Sequence, residues 1–163
     1  MAEVVLDPAA KKAVLRMFTY GLYAVGVARG EERNMFTANW LTQVSFEPPL
    51  LALSVENDSH SIGLIRETGR FSISVFPGGE REMAGLLGKR WKLRPGKLDE
   101  VPHRLSPGGL PILANGLGAV ECRVADAVTA GDSTVFIAEV VHAEVLREGE
   151  PLTMAEAGFR HAG

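Results

Sequence analysis

The stretch NMFTANWLTQVSFEPPLLALSVENDSHS, residues 34–61, decides how the rest of the chain is read. Its first part interleaves small and hydroxylated residues (Thr37, Ala38, Asn39, Thr42, Ser45) with bulky ones (Phe36, Trp40, Leu41, Val44, Phe46). That is not a clean alternation, so a strand is expected to give way to a segment with exposed backbone. Pro48-Pro49 cannot sit inside a central strand, because neither donates a ladder hydrogen bond, and it marks a corner where a cis bond is allowed. Residues 50–55 form an apolar run of strand length. Asn57, Asp58 and Ser59 are each good helix N-caps, Ile62, Leu64 and Ile65 give the helical spacing that follows, and Gly69 suits the helix end.

Outward from this stretch the pattern is mostly strand. Asp7 can cap a short helix with Pro8 at its first position and Ala13, Val14, Leu15 and Met17 on its apolar side. Residues 22–27 read as a strand, and residues 29–32 as the turn into the next. Phe71, Ile73 and Val75 alternate on one face of a strand over 70–76. Pro77-Gly78-Gly79 turns the chain into a helix near 80–87. Residues 88–111 concentrate Gly, Pro and charge, and so long a loop in a compact domain is often functional. From 117 to 146 the pattern is a hairpin turning at Ala130-Gly131-Asp132-Ser133. The tail, 151–163, carries no readable pattern. The expected class is mainly β with short helices: an antiparallel Greek-key barrel decorated by helices, as one domain over 1–163.

Composition excludes several functions. At 163 residues with 46% apolar and 23% charged residues, the chain has the make-up of an ordinary globular domain. The net charge of −3, with no basic cluster larger than a pair, speaks against nucleic-acid binding. Apolar runs are too short for a transmembrane helix, and Glu3 and Asp7 precede any apolar block, so neither a membrane span nor a signal peptide is expected. A cytoplasmic location follows. Cys122 is the only cysteine and lies in a strand-like run, where a buried structural thiol is expected. The four histidines show no metal-ligand spacing. No nucleophile elbow, dinucleotide fingerprint or phosphate loop is present, and Glu121 and Asp126 read as solvated hairpin carboxylates.

Two segments can bind something. The turn Asn57-Asp58-Ser59-His60-Ser61 opens a helix, whose free N–H groups and positive dipole end favour a phosphate; Ser59, Ser61 and His60 add donors. Hydrogen bonds to a charged group contribute about 1.5–3 kcal/mol each, so three or four would hold a phosphomonoester. The same residues also read simply as helix caps. Thr37-Ala38-Asn39-Trp40 offers backbone amides, a hydroxyl, a carboxamide and an indole, which suit the polar edge and flat face of an isoalloxazine ring. From the residues alone it reads more simply as a strand with surface threonines and a core Trp.

In order and spacing, these segments resemble the flavin reductase-like family with the FMN-binding split-barrel fold. The resemblance rests on Phe36-Thr37-Ala38-Asn39-Trp40, Val44-Ser45-Phe46-Glu47-Pro48-Pro49, the apolar strand 50–55 and Asn57-Asp58-Ser59-His60-Ser61. The Phe71, Ile73, Val75 strand, the Cys122 strand and the Gly131-Asp132 turn also fit it, so that it covers about 12–146. The resemblance implies non-covalent FMN in a homodimer, with NAD(P)H as electron donor and free flavin, a ferric chelate, a monooxygenase or a protein disulfide as acceptor. By carry-over, Thr37, Ala38, Asn39 and Trp40 contact the ring, Ser45 and Phe46 line the ribityl chain, and Asn57, Ser59, His60 and Ser61 take the phosphate. The flavin does the chemistry, so no catalytic side chain is expected. Many NADH-using members have His after Gly-Asp, where this chain has Ser133. That departure keeps open a flavoredoxin-like electron carrier reduced by a partner protein, and a flavin-storing barrel without turnover.

Overall fold

A computed structural model describes residues 3–161. The first helix, α1 (Pro8–Leu15), is capped by Asp7, whose carboxylate accepts from the backbone N–H groups of Ala9 and Ala10 at 2.9 and 3.2 Å. None of its residues is buried, and Ala13, Val14 and Met17 of the expected apolar side are exposed in the single chain.

Among the described residues, seven strands form one antiparallel sheet. In chain order they are β1 (Tyr23–Arg29), β2 (Glu32–Ala38), β3 (Leu41–Ser45), β4 (Leu50–Glu56), β5 (Arg70–Val75), β8 (Gly118–Ala130) and β9 (Ser133–Val145). A separate two-stranded ribbon, β6 (His103–Leu105) with β7 (Pro111–Leu113), lies in the long 88–111 segment. The main sheet runs β2-β1-β5-β8-β9-β4-β3. Its two edge strands, β2 and β3, are joined in sequence by only Asn39 and Trp40. The sheet must therefore curl until its edges nearly meet at that corner, yet the edges do not pair, and the expected barrel is open along this seam. The irregularity read in 36–46 is this corner between two short strands. The Glu47–Pro48 bond at the next corner is cis.

Helix α2 (His60–Thr68) begins at Ser59, whose hydroxyl accepts from the Ser61 N–H at 3.3 Å. It ends at Gly69 in the left-handed conformation, φ 66°. Ile62, Leu64 and Ile65 pack with Val25, Val27, Leu53, Phe71, Cys122 and Phe136 inside the curled sheet. A second apolar cluster joins Leu22, Met35 and Phe76 to helix α3 (Arg81–Leu87), to Leu98 in the 3-10 turn Lys97–Glu100, and to Leu152, Met154 and Ala157 of the tail. The tail thus contains a short helix, α4 (Met154–Ala157), and a share of the core. One hairpin carboxylate is not solvated. Glu121 is buried and accepts from the Ser106 hydroxyl and, at 2.6 Å, the Gly108 N–H, closing the β6–β7 loop onto β8. Among the described residues no helix is long and apolar enough to cross a membrane.

Candidate functional site

The β2–β3 corner, the start of α2, the end of α3 and the tail enclose one cavity of about 670 Å³. Cavities of about 300–1,000 Å³ are the usual size for small-molecule and cofactor sites. Of the residues singled out in the sequence, Thr37, Ala38, Asn39, Trp40, Ser59, His60 and Ser61 all line it. Both candidate segments, some twenty residues apart in sequence, therefore face one space.

Three candidates lie elsewhere. Ser45 ends β3 opposite Leu50 and Phe46 is 91% exposed at the proline corner, so neither reaches the cavity of this chain. Asn57 is also outside the lining. Its Oδ1 accepts from the Thr134 hydroxyl at 2.7 Å, and its Nδ2 donates to the Gly131 carbonyl at 3.4 Å. Both ends of that amide tie the approach to α2 to the β8–β9 turn.

Local bonding also limits what the lining residues offer. The Thr37 hydroxyl donates to the Ala84 carbonyl at 2.6 Å, fixing α3 to β2, so its proton is spent. Asn39 donates from Nδ2 toward the Met154 sulfur at 3.4 Å and meets His161 Nδ1 through Oδ1 at 3.2 Å. His161 lies against the Trp40 indole with centroids 4.8 Å apart, and its Nε2 is 3.4 Å from Glu56. The tail is thereby fastened over one side of the cavity. On the opposite side His60 stacks on Trp91, with centroids 3.9 Å apart and planes 8° from parallel. His60 Nε2 is 3.2 Å from a Glu32 oxygen without making a hydrogen bond to it.

Two features suit an anionic, partly aromatic ligand. Among the described residues the lining carries Lys89, Arg90, Lys92 and Lys97 against Glu56 and Asp58, a local excess of positive charge in a chain of net −3. Arg90 is paired with Asp58 at 3.0 Å, which leaves the lysines as the surplus. The second feature is Asn34, buried in β2. Its Nδ2 donates to the Ser61 hydroxyl at 2.8 Å, while its Oδ1 has no partner. Turning the amide over would leave the NH2 without one instead. A buried, unpaired polar atom costs about 1–3 kcal/mol, and here it borders the cavity, where a ligand would satisfy it.

Asn34, Trp91, Lys97, Met154, Phe159 and His161 line the cavity and were not singled out from the sequence. Asn34 opens the quoted stretch, but between Arg33 and Met35 nothing local marked it as buried. Trp91 and Lys97 fall within the 88–111 segment, whose length alone points to function. The tail residues carried no signal.

Residues 15–163 match the flavin reductase like domain family. The high molecular weight rubredoxin of Moorella thermoacetica is 34% identical over 146 residues, covering 86% of this chain and 62% of that protein. The ferric-chelate reductase (NAD(P)H) of Archaeoglobus fulgidus is 31% identical over 142 residues, covering 85% of this chain and 83% of that one. Among solved structures, the NADH:FAD oxidoreductase SgcE6 of Streptomyces globisporus, in complex with NAD and FAD fragments, superposes with a TM-score of 0.83. It is 28% identical and covers 98% of this chain and 96% of its own. With that family match over most of its length, the chain belongs to the flavin reductase like domain family.

Proposed function

We propose that this chain is an FMN-dependent oxidoreductase of the flavin reductase type, acting as one domain over 1–163 in the cytoplasm. Bound flavin supplies the redox chemistry, accepting electrons from NAD(P)H and passing them to an acceptor such as free flavin, a ferric chelate or a monooxygenase partner. The observation that carries this reading is the shared cavity: the Asn39–Trp40 corner and the first turn of α2 face one space with a surplus of lysines.

The residues divide by chemistry. Ser59, His60 and Ser61 present hydroxyl, imidazole and backbone donors at the positive end of α2 and suit the phosphate. Thr37 and Ala38 contribute backbone, and Asn39 and Trp40 contribute a carboxamide and an indole, to the ring. Asn34 orients the Ser61 hydroxyl. Trp91, His161 and Phe159 wall the space. None of these groups needs to act as an acid or base.

A homodimer is part of this proposal. Val14, Met17 and Phe18 around α1 and Phe46 at the proline corner are exposed apolar side chains that a second subunit would cover, bringing Ser45 and Phe46 against a partner. Multi-angle light scattering reports the mass directly.

Titration of the purified protein with FMN, FAD and riboflavin, followed by flavin fluorescence, tests the reading. FMN is expected to bind at least tenfold more tightly than riboflavin, because only FMN carries the phosphate. Equal affinity would remove the phosphate from the start of α2.

A second reading, an electron carrier reduced by a partner protein, is favoured by Ser133. It is buried in the β8–β9 turn, donates to Asp132 Oδ1 at 3.2 Å and brings no imidazole toward the cavity.

A further inference from the structure

Among the described residues only two charged side chains are buried, Glu121 and Lys97. Glu121 is satisfied by the donors already described. Lys97 opens the 3-10 turn inside the long 88–111 segment, is 2% exposed and lines the cavity. Its ammonium donates to the Leu87 carbonyl at 2.6 Å and the Lys89 carbonyl at 2.8 Å. Leu87 ends α3, so the first of these bonds meets the negative end of a helix. An ammonium has three donors, and two are used.

What Lys97 lacks is a counter-charge. Lysine is almost never fully buried unless paired. The charged residues on the elements packed against it are Asp99 and Glu100 on its own turn, Lys89, Arg90, Lys92 and Arg94 on the segment before it, Arg81 and Glu82 on α3, Glu32 and Arg33 on β2, and His60 across the cavity. Glu100 is held by Arg94 at 2.5 Å, Asp58 by Arg90, and Glu32 by Arg29 at 2.7 Å. No carboxylate of the described residues forms an ion pair with Lys97, and burial alone pushes its ammonium down to about 8. Two carbonyl dipoles keep it charged at neutral pH without neutralising it.

We propose that Lys97 supplies the buried positive charge that pairs with the anionic cofactor of this cavity. This rests on the FMN reading of the cavity. A negative ligand favours the charged form of a nearby amine, so the ammonium holds its proton to higher pH in the complex than in the free protein. The FMN phosphate, with a second pKa of about 6, is already dianionic in mildly alkaline solution and takes up nothing itself. The linkage is reciprocal: FMN affinity falls as pH rises through the value set by burial.

Isothermal calorimetry of FMN binding near pH 8.5, in two amine buffers of different ionisation enthalpy, measures the protons exchanged. The wild-type chain is expected to take up a substantial fraction of a proton per FMN, because much of Lys97 is neutral at that pH in the free protein. Lys97→Met is expected to take up none and to bind FMN at least tenfold more weakly. Lys97→Arg keeps a charge that does not titrate, and is expected to bind tightly with no uptake and a flat pH profile. Wild-type binding without proton uptake, or Lys97→Met with unchanged affinity and uptake, overturns the proposal. Absence of any FMN binding to the wild-type chain instead brings down the functional reading on which it rests. Should circular dichroism show Lys97→Met unfolded, the wild-type uptake and its loss in Lys97→Arg decide the matter alone.

Discussion

Asn34 Nδ2 donates to the Ser61 hydroxyl at 2.8 Å, joining the middle of edge strand β2 to the first turn of α2. The bond spans 27 residues of sequence and sits where the apolar core meets the cavity. Replacing Asn34 by Leu removes the bond and the unpartnered oxygen together, and leaves the Ser61 hydroxyl without its donor. The fold is expected to change in stability by less than about 1.5 kcal/mol, since both the loss and the relief are of that order. FMN affinity is expected to fall about tenfold. Urea denaturation and fluorescence titration of the same preparation separate the two effects, and unchanged affinity would remove Asn34 from the site.

Trp91 covers one face of His60. Aromatic pairs of this kind contribute about 0.5–1.5 kcal/mol beyond the area they bury. Trp91→Ala is expected to weaken FMN binding roughly 3- to 10-fold, mainly through faster release, and to leave thermal stability nearly unchanged because Trp91 lies outside both core clusters. Stopped-flow displacement of bound FMN reads the release rate.

Cys122 is buried in β8, and burial together with the neighbouring Glu121 carboxylate pushes its thiol up to about 12. The native protein is expected to react with an aromatic disulfide reagent only as fast as it unfolds, while the denatured chain reacts at once. Because the folded value lies above the unfolded one, the contribution of this thiol to stability is full below about pH 9 and is lost as pH rises from there toward 12. Cys122→Ala should flatten that part of the stability profile. Rapid native labelling would contradict the assignment.

Two glycines give a stability contrast. A Cβ on Gly26 in β1 would lie closer than 3.0 Å to the Pro111 carbonyl and the Ser72 hydroxyl, which are themselves hydrogen bonded to each other at 2.6 Å. Gly26→Ala is expected to cost about 3 kcal/mol or more, because the β6–β7 ribbon must move away from the sheet. Gly63 in α2 has open space at the same position, and Gly63→Ala is expected to stabilise by about 0.5–1 kcal/mol. Urea midpoints of the two variants check the sign of each.

Residues 34–61 were legible because local rules operate there without competition. Prolines break strands, Ser59 caps a helix and Gly69 ends one whatever surrounds them. The hairpin of β8 and β9 followed from a turn flanked by long β-rich runs in the same way. Less of the cavity was legible. Ser45, Phe46 and Asn57 belong to the quoted stretch, but strand register and the β8–β9 turn direct them away from the cavity, and register is a property of pairing between distant segments. Thr37 lines the cavity, yet its hydroxyl proton is committed to Ala84, an acceptor 47 residues away. Lys97, Trp91 and the tail residues share no local pattern with the rest of the site; only the curl of the sheet brings them to it. Glu121 read as solvated because carboxylates at a hairpin edge usually are, and its burial comes from the β6–β7 loop, which local sequence does not place against it.

The central claim is that the cavity between the Asn39–Trp40 corner and α2 holds a flavin that NAD(P)H can reduce. Anaerobic stopped-flow mixing of the FMN-loaded protein with NADH, and separately with NADPH, follows the flavin absorbance directly. Rapid bleaching by at least one of the two is expected, with the faster one naming the electron donor. Bound FMN that neither nucleotide bleaches would contradict a reductase and leave the electron carrier with Ser133 in its turn.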